Sequence, residues 1–461
     1  MQDFTNQSTD QSNQENQFHK KNQLRQEKQF HQENQFHQKK QLDQKRLFHQ
    51  ENQLGQEKQF NQKRQSDQEN PAEVSAFDLS LEDCVLCPRN CHADRLHGER
   101  GFCGEAAAIR AARAALYYTE EPVISGRRGS GTVFFAGCNL GCIYCQNRQI
   151  SRPAASVLSP GSNTGSVDLT DYKNMDESVS GEKRSSAETS LPRLMEISPD
   201  RLAEIFFELE DHGAHNINLV TPEHFVPLLI PALRRAKKEG LSIPIVYNTG
   251  SYERVEAVRA LEGLVDVWMP DLKYVSPALS ERHTGAADYF RYASAAIAEM
   301  VRQCPEPVFS DGTHAIDCPD DADDPLLVRG VLVRHLALPG CGDDSRAVLR
   351  YLHETYGNRI FISIMNQYTP MPQVLFHRQS HPEKATALSA SPDEGTPSRT
   401  AASFRPVQLS PEDEALCRRL SEEEYDALVD YAIEIGIENG FIQESGTVSP
   451  SYIPVFDGTG L

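Results

Sequence analysis

The chain has 461 residues and a formal net charge of −20, from 46 basic and 66 acidic side chains. That length holds one large domain with extensions, or two domains. The acidic balance argues against a general nucleic-acid binder, because neutralising phosphates needs clustered Lys and Arg. No apolar run of about 18 residues is present to span a membrane, and the lack of an N-terminal apolar core points to the cytoplasm.

From Gln11 to Gln68 a glutamine recurs at nearly every third position, and Phe or Leu stands at every sixth, from Phe18 through Leu24 and Phe30 to Phe60. A step of six advances about 240° around an α-helix, so these side chains scatter and form no stripe. They would share one face of a strand, and such a repeat can in principle wind as a β-helix. The Gln, Asn and Lys content and the shortage of turn glycines predict instead a disordered repeat tail over 1–75.

A Cys-rich segment over 80–130 comes next. Cys84, Cys87, Cys91 and Cys103 follow C-x2-C-x3-C-x11-C, with Pro88, Gly98, Gly101 and Gly104 supplying turns. Four thiolates suit a closed site, either structural zinc or an auxiliary iron–sulfur cluster, with His92 as an alternative ligand. Seven of the 11 cysteines lie between Cys84 and Cys145. In a large intracellular chain such spacing reads as metal binding rather than disulfides. Cys304, Cys318, Cys341 and Cys417 are scattered and read as unligated thiols.

The apolar run "GTVFFAG" then reads as a strand, followed at once by Cys138, Cys142 and Cys145 in "CNLGCIYC". Beyond it, β-rich runs recur at 216–220, 243–248, 265–273, 330–338 and 361–365, with helical patterns between most of them. "SPDRLAEIFFELEDHG" opens on a capping Ser198, and the next two helical patterns end at Gly240 and Gly263. Six strand–helix units predict an α/β fold with a parallel sheet, as an open or partial (β/α)6 barrel over 131–372. Polar stretches at 151–196, 310–324 and 376–416 read as insertions, and a last helix is expected at 421–437 within a C-terminal segment 417–461.

Three thiolates just past a strand end suit zinc, completed by a borrowed fourth ligand, or an iron–sulfur cluster. A cubane held at three corners leaves one iron open to bind a small molecule. The C-x3-C-x2-C motif, with aromatic Tyr144 before its last cysteine, resembles the radical S-adenosylmethionine (SAM) superfamily. "CVLCPRNCHADRLHGERGFCG", "GAHNINLVTPEHFVP", "IPIVYNTGSYE", "VDVWMPDLKY", "VRGVLVRHLALPG" and "ISIMNQYTPMP" follow the order of blocks in its pyruvate formate-lyase activating enzyme-related branch, over roughly 80–372.

The resemblance implies that Cys138, Cys142 and Cys145 ligate a [4Fe–4S] cluster whose open iron chelates SAM. It implies reductive cleavage of the sulfonium and hydrogen abstraction from a substrate, with a glycyl-radical enzyme as one candidate. A reduced flavodoxin or ferredoxin-type protein would supply the electron. Tyr144 would lie against the adenine, and Asn248 and Thr249 would contact SAM. Lys273 would pair with the SAM carboxylate or with Asp271, and His335 would reach the ribose or the substrate. Asn216, Asn218, Thr221 and His224 are expected to cluster after the second strand. There the superfamily's Gly-Gly-Glu is replaced by "NINLVTPEH", with Thr221 or Glu223 as substitute contacts for the methionine amino group. No residue is assigned a catalytic role. A non-catalytic iron–sulfur or zinc redox scaffold is the alternative function.

Overall fold

The computed structural model describes residues 79–152, 192–311, 325–370, 411–443 and 454–461. The Gln-rich repeat and most of the three polar insertions lie outside these residues. The chain divides between Phe77 and Asp78, and everything below concerns Asp78–Leu461.

Among the described residues, ten strands form one sheet. In chain order they are β1 (Ile109–Tyr117), β2 (Ser130–Phe135), β3 (Met195–Ile197), β4 (Ile217–Val220), β5 (Ile245–Thr249), β6 (Val267–Pro270), β7 (Val308–Phe309), β8 (Leu327–Leu336), β9 (Phe361–Met365) and β10 (Gly440–Ile442). The six strands read from the sequence are β2, β4, β5, β6, β8 and β9, and they lie side by side, parallel, in that order. Because spatial order equals chain order, every crossover steps the same way, and right-handed crossovers then place the connecting helices on one face. β4, β5, β6 and β9 are buried at every position, as expected for parallel strands covered on both sides.

Besides two four-residue helices, Pro122–Ser125 and Arg148–Ser151, the α-helices among the described residues are α1 (Pro199–Asp211), α2 (Val226–Glu239), α3 (Val255–Ala260), α4 (Pro277–Thr284), α5 (Tyr289–Gln303), α6 (Gly342–Tyr356) and α7 (Glu422–Ile435). α1 starts where the Ser198 hydroxyl accepts the Arg201 N–H at 3.1 Å. It buries Leu202, Ile205, Phe206 and Leu209, one stripe at helical spacing. α2 ends as Gly240 turns left-handed, at φ 98°, and returns its N–H to Ala236. In α7, Ser421 and Glu424 form a reciprocal capping box.

Some elements depart from the sequence reading. The strand before the Cys triplet is the second, not the first. β1 precedes it inside the Cys-rich segment and pairs with it antiparallel. "IRAARAALY" hides this strand behind alanines and two arginines, one of which, Arg110, is buried on Glu105. The helix expected up to Gly263 is shortened to Val255–Ala260, because Ser251 (φ 64°) begins a turn and Glu253 bonds back to Tyr247 and Thr249. Met195–Ile197, at the edge of an expected insertion, is a strand, and residues 411–417 form a 3₁₀ turn.

The sheet face away from the helices is closed at its lower end by Val123 and Ile124, which pack on Val246, Val267, Met269 and Leu332. Side chains alternate along a strand. The same face therefore continues two residues further with Asn248 on β5 and Arg334 on β8, toward the strands' C-terminal ends. An apolar floor thus gives way to polar groups where the loops leave the sheet. Among the described residues no helix is long and apolar enough to cross a membrane.

Candidate functional site

The loop that leaves β2 carries Cys138, Cys142 and Cys145, and every part of it is tied down. Gly137 takes φ 81° to start the turn. The Cys138 N–H donates to Cys103 O at 3.3 Å, and the Ile143 N–H to His283 O at 3.0 Å. Arg89 donates Nε to Asn139 O at 2.8 Å and Nη2 to Leu140 O at 2.9 Å, while Arg152 Nη1 reaches Cys138 O at 2.6 Å. Asn139 Nδ2 donates to Tyr252 O at 2.7 Å. The Leu140 N–H points at Cys138 Sγ, 3.3 Å away. Such bonds stabilise a thiolate more than a thiol. Burial pushes the Cys142 thiol up to about 12; Lys273 opposes this, and Cys145 and Cys138 add to it. The three sulfurs therefore sense one another. All three are free.

At the ends of β5, β6 and β8 lies a network of charges. Arg334 reaches Asp271 Oδ1 through Nε at 2.9 Å and Nη2 at 2.8 Å, Glu120 Oε1 through Nη1 at 2.9 Å, and Asn248 Oδ1 at 2.6 Å. Glu120 Oε2 in turn accepts from Asn218 and Asn248, each at 3.2 Å. Lys273 Nζ is 2.6 Å from Asp271 Oδ2. Burial works to raise the Asp271 pKa, but Arg334 and Lys273 outweigh it and hold the carboxyl below its usual range. Of the two partners expected for Lys273, the structure places it on Asp271.

The other expected residues fall as follows. Thr249 donates to Glu253 at 2.6 Å and accepts the Ser251 N–H, so its hydroxyl shapes the loop. His335 donates Nδ1 to Leu272 O at 2.8 Å, leaving Nε2 buried without a partner. Burial lowers its pKa to about 4, so the imidazole is neutral and Nε2 is an acceptor. The Tyr144 hydroxyl bonds to that of Tyr274, and its ring meets Tyr368 and His283 edge-on. His283 extends this chain to Asp413 at 3.0 Å. The expected cluster of Asn216, Asn218, Thr221 and His224 separates. Asn216 precedes β4 and bonds to Ser130 and to Ile124 O at the opposite end, whereas Thr221 and His224 follow the strand. His224 donates to Ala136 O at 2.7 Å.

Beyond β4, Thr221 adopts φ 59°, costly for a β-branched residue and a mark of a constrained site. It turns Glu223 inward. Glu223 is 2% exposed, and its Oε2 is buried with no partner. Burial raises its pKa to about 8, with Glu253 adding to the shift and Lys273 opposing it. The same carboxyl acts on Cys138.

Against this frame, residues 132–305 match the model of the radical SAM superfamily. Those residues match a radical SAM domain. β2 from Thr132 onward, the triplet loop, β4, β5 and β6 lie within the match. A protein 24% identical over 292 residues, 63% of this chain and 67% of its own length, is the uncharacterized protein MJ0674 of Methanocaldococcus jannaschii. Similar solved structures are Streptococcus suis SuiB bound to S-adenosylmethionine, at 10% identity and TM-score 0.34, and SuiB bound to precursor peptide SuiA, at 8% identity and TM-score 0.34. Each match covers 67% of this chain; it spans 48% of the first and 47% of the second, about half their length.

Radical SAM domains use a [4Fe–4S] cluster and SAM, and the residues here fit both. Soft thiolates are the donor set an iron–sulfur cluster takes. Among the described residues no three Cys, His, Asp or Glu side chains converge on a position for one metal ion; a cubane is gripped at separate corners. Burial holds the Glu223 carboxyl protonated near neutral pH; an ammonium group at its orphaned Oε2 would favour the ionised form, and His335 Nε2 suits a hydroxyl or N–H.

Sequence reasoning passed over Glu120, Arg334, Glu253 and Arg89. Arg334 stands in "LVRHLAL" on an apolar strand, and a charge there is the one signal that marks it.

Proposed function

We propose that this chain is a radical SAM enzyme in which Cys138, Cys142 and Cys145 hold the [4Fe–4S] cluster. One observation carries the reading: three cysteines stand on the loop after β2, inside the matched residues, and the buried Glu223 carboxyl, which keeps one oxygen uncommitted, acts on Cys138. When bound, the cluster and SAM supply one-electron cleavage of the sulfonium and hydrogen abstraction from a substrate.

The chain's own groups have separable tasks. Glu223 would receive the methionine ammonium, replacing the acid of the missing Gly-Gly-Glu. Lys273 lies nearest a ligand carboxylate in chemistry, and binding one would require sharing Nζ with Asp271. His335 Nε2 would accept from a ribose hydroxyl or the substrate. Asn248 and Thr249 hold the walls through Arg334 and Glu253 rather than through free donors. Tyr144, enclosed by aromatic rings, fixes the turn between Cys142 and Cys145. The buried strands and Val123–Ile124 floor exclude water from below.

The sequence blocks support membership of the pyruvate formate-lyase activating enzyme-related branch and a partial-barrel closure of the sheet. A glycyl-radical enzyme enters as one candidate substrate, and flavodoxin or ferredoxin as donor, on that resemblance. The test is anaerobic reconstitution, reduction with dithionite, and measurement of 5′-deoxyadenosine from SAM. The wild-type chain is expected to form it and Cys138→Ala to form none. A reconstituted, reduced chain that never forms it is the scaffold of the alternative reading.

A further inference from the structure

The segment before β1 carries four more cysteines that the SAM chemistry does not use. Cys84 and Cys103 are buried, and Cys87 and Cys91 half-buried. Its turns are tight: the Asn90 N–H closes on Cys87 O at 3.1 Å, and Asn90 and His92 adopt φ 49° and 54°, the left-handed region that Asn and His tolerate best. His92 turns away from the sulfurs to Asp83, 2.7 Å from it. Two donors point at sulfur: the Phe102 N–H reaches Cys91 Sγ at 3.2 Å, and Arg95 Nη1 reaches Cys84 Sγ at 3.7 Å.

The decisive feature is positive charge with no carboxylate in contact: Glu105 acts on Arg95 but is itself paired with Arg110. Arg95 is 1% exposed, bonds to the carbonyls of His224 and Ala106 at 2.8 and 2.9 Å, and leaves Nε buried without a partner. Arg89 spends its donors on the carbonyls of Asn139, Leu140, Thr284 and Gly285. Among the described residues neither guanidinium forms an ion pair with a carboxylate. A buried charge without a counter-charge is costly. Four thiolates (−4) around a zinc ion or a [4Fe–4S] core, each +2, leave a net −2, which balances the two arginines.

We propose that Cys84, Cys87, Cys91 and Cys103 hold a second metal–thiolate centre, zinc or iron–sulfur, with Arg89 and Arg95 as its counter-charges. Among the described residues no three of these sulfurs converge on a position for one metal ion, so a zinc ion would have to draw them together as it bound, whereas an iron–sulfur cluster would grip them at separate corners. Through Arg89 and the Cys103 carbonyl, the same segment braces the Cys138–Cys145 loop. The proposal stands apart from the SAM reading: each has its own cysteines and its own assay.

The experiment uses the full chain, purified without oxygen, with Cys138, Cys142 and Cys145 all replaced by alanine. Zinc, iron and acid-labile sulfide are measured per chain. The expected result is about one zinc, or about four irons with matching sulfide, removed by adding Cys87→Ser and Cys91→Ser. In the wild-type chain, Cys87 and Cys91 should resist iodoacetamide until a chelator is added, while Cys341, also half-buried, reacts throughout. This alkylation measurement decides the matter if the triple variant does not fold. Cys87 and Cys91 reacting as fast as Cys341 without chelator, or a folded triple variant free of zinc and iron, overturns the proposal.

Discussion

The backbone N–H of Cys138 donates to the carbonyl of Cys103 at 3.3 Å, so the two cysteine groups of this chain share a hydrogen bond. The glycine before it makes that approach possible. A Cβ on Gly137 (φ 81°) would stand 2.7 Å from Cys103 O and 2.5 Å from Glu105 Cγ. Gly137→Ala is therefore expected to lower stability by about 2 kcal/mol or more, from strain and overlap together. It should also reduce iron uptake on reconstitution. Gly104→Ala has the same φ of 81° but nothing within 4 Å, so it should cost about 1 kcal/mol from strain alone. Thermal melts and iron analysis of the two variants separate the effects.

Arg334 is the hub of the charges at the strand ends, with Asp271, Glu120 and Asn248 all within 2.9 Å of it. Removing it leaves the largely buried Glu120 without a counter-charge and Asp271 with Lys273 alone. Arg334→Met is expected to cost about 3–5 kcal/mol in urea unfolding. A double variant, Arg334→Met with Glu120→Gln, should recover part of that loss, because one uncompensated charge goes with it.

Glu121 provides a pH signature. Burial lifts its pKa from 4.5 to about 7, against the hydrogen bond it accepts from Ser363 at 2.7 Å. Between those values the native state keeps a proton that the unfolded chain has released. The native state thus binds more protons, and this group's contribution to stability falls as pH rises from about 4.5 to about 7. Melting temperatures compared at pH 5 and pH 8 should show a steeper loss for wild type than for Glu121→Gln. Equal losses in both would refute the assignment.

Glu223→Gln keeps the shape of the side chain but removes a carboxyl that a bound ammonium would ionise. SAM binding should weaken at least tenfold, about 1.4 kcal/mol, with iron content of the reconstituted chain unchanged. Titrating SAM against the 5′-deoxyadenosine rate reads the first, and metal analysis the second. A drop in iron instead would place Glu223 in the support of the cluster loop.

Much of the architecture was legible along the chain. Six apolar runs alternating with helical patterns foretold β2, β4, β5, β6, β8 and β9 in their spatial order, because pleat and helix leave local periods in sequence. The spacing of Cys138, Cys142 and Cys145 carries the proposed cluster site locally for the same reason: three candidate ligands within eight positions need no distant partner. β1 escaped because "IRAARAALY" has no clean alternation, and its antiparallel pairing with β2 leaves no local mark. Asn216 was misplaced because it precedes β4 while Thr221 follows it, and four strand residues at about 3.3 Å each hold the two ends apart.

The site's electrostatics belong to the folded chain alone. Arg334 meets Glu120 across 214 positions and Asp271 across 63, and Arg89 meets Thr284 across 195. No propensity or spacing encodes such meetings; the winding of the sheet creates them by bringing strand ends to one edge. Composition and periodicity act between near neighbours, so they set the kinds of element and the ligands a short loop offers. Which buried charges neutralise one another, and which acid keeps an oxygen for a ligand, follows from burial, and burial is a property of the packed whole.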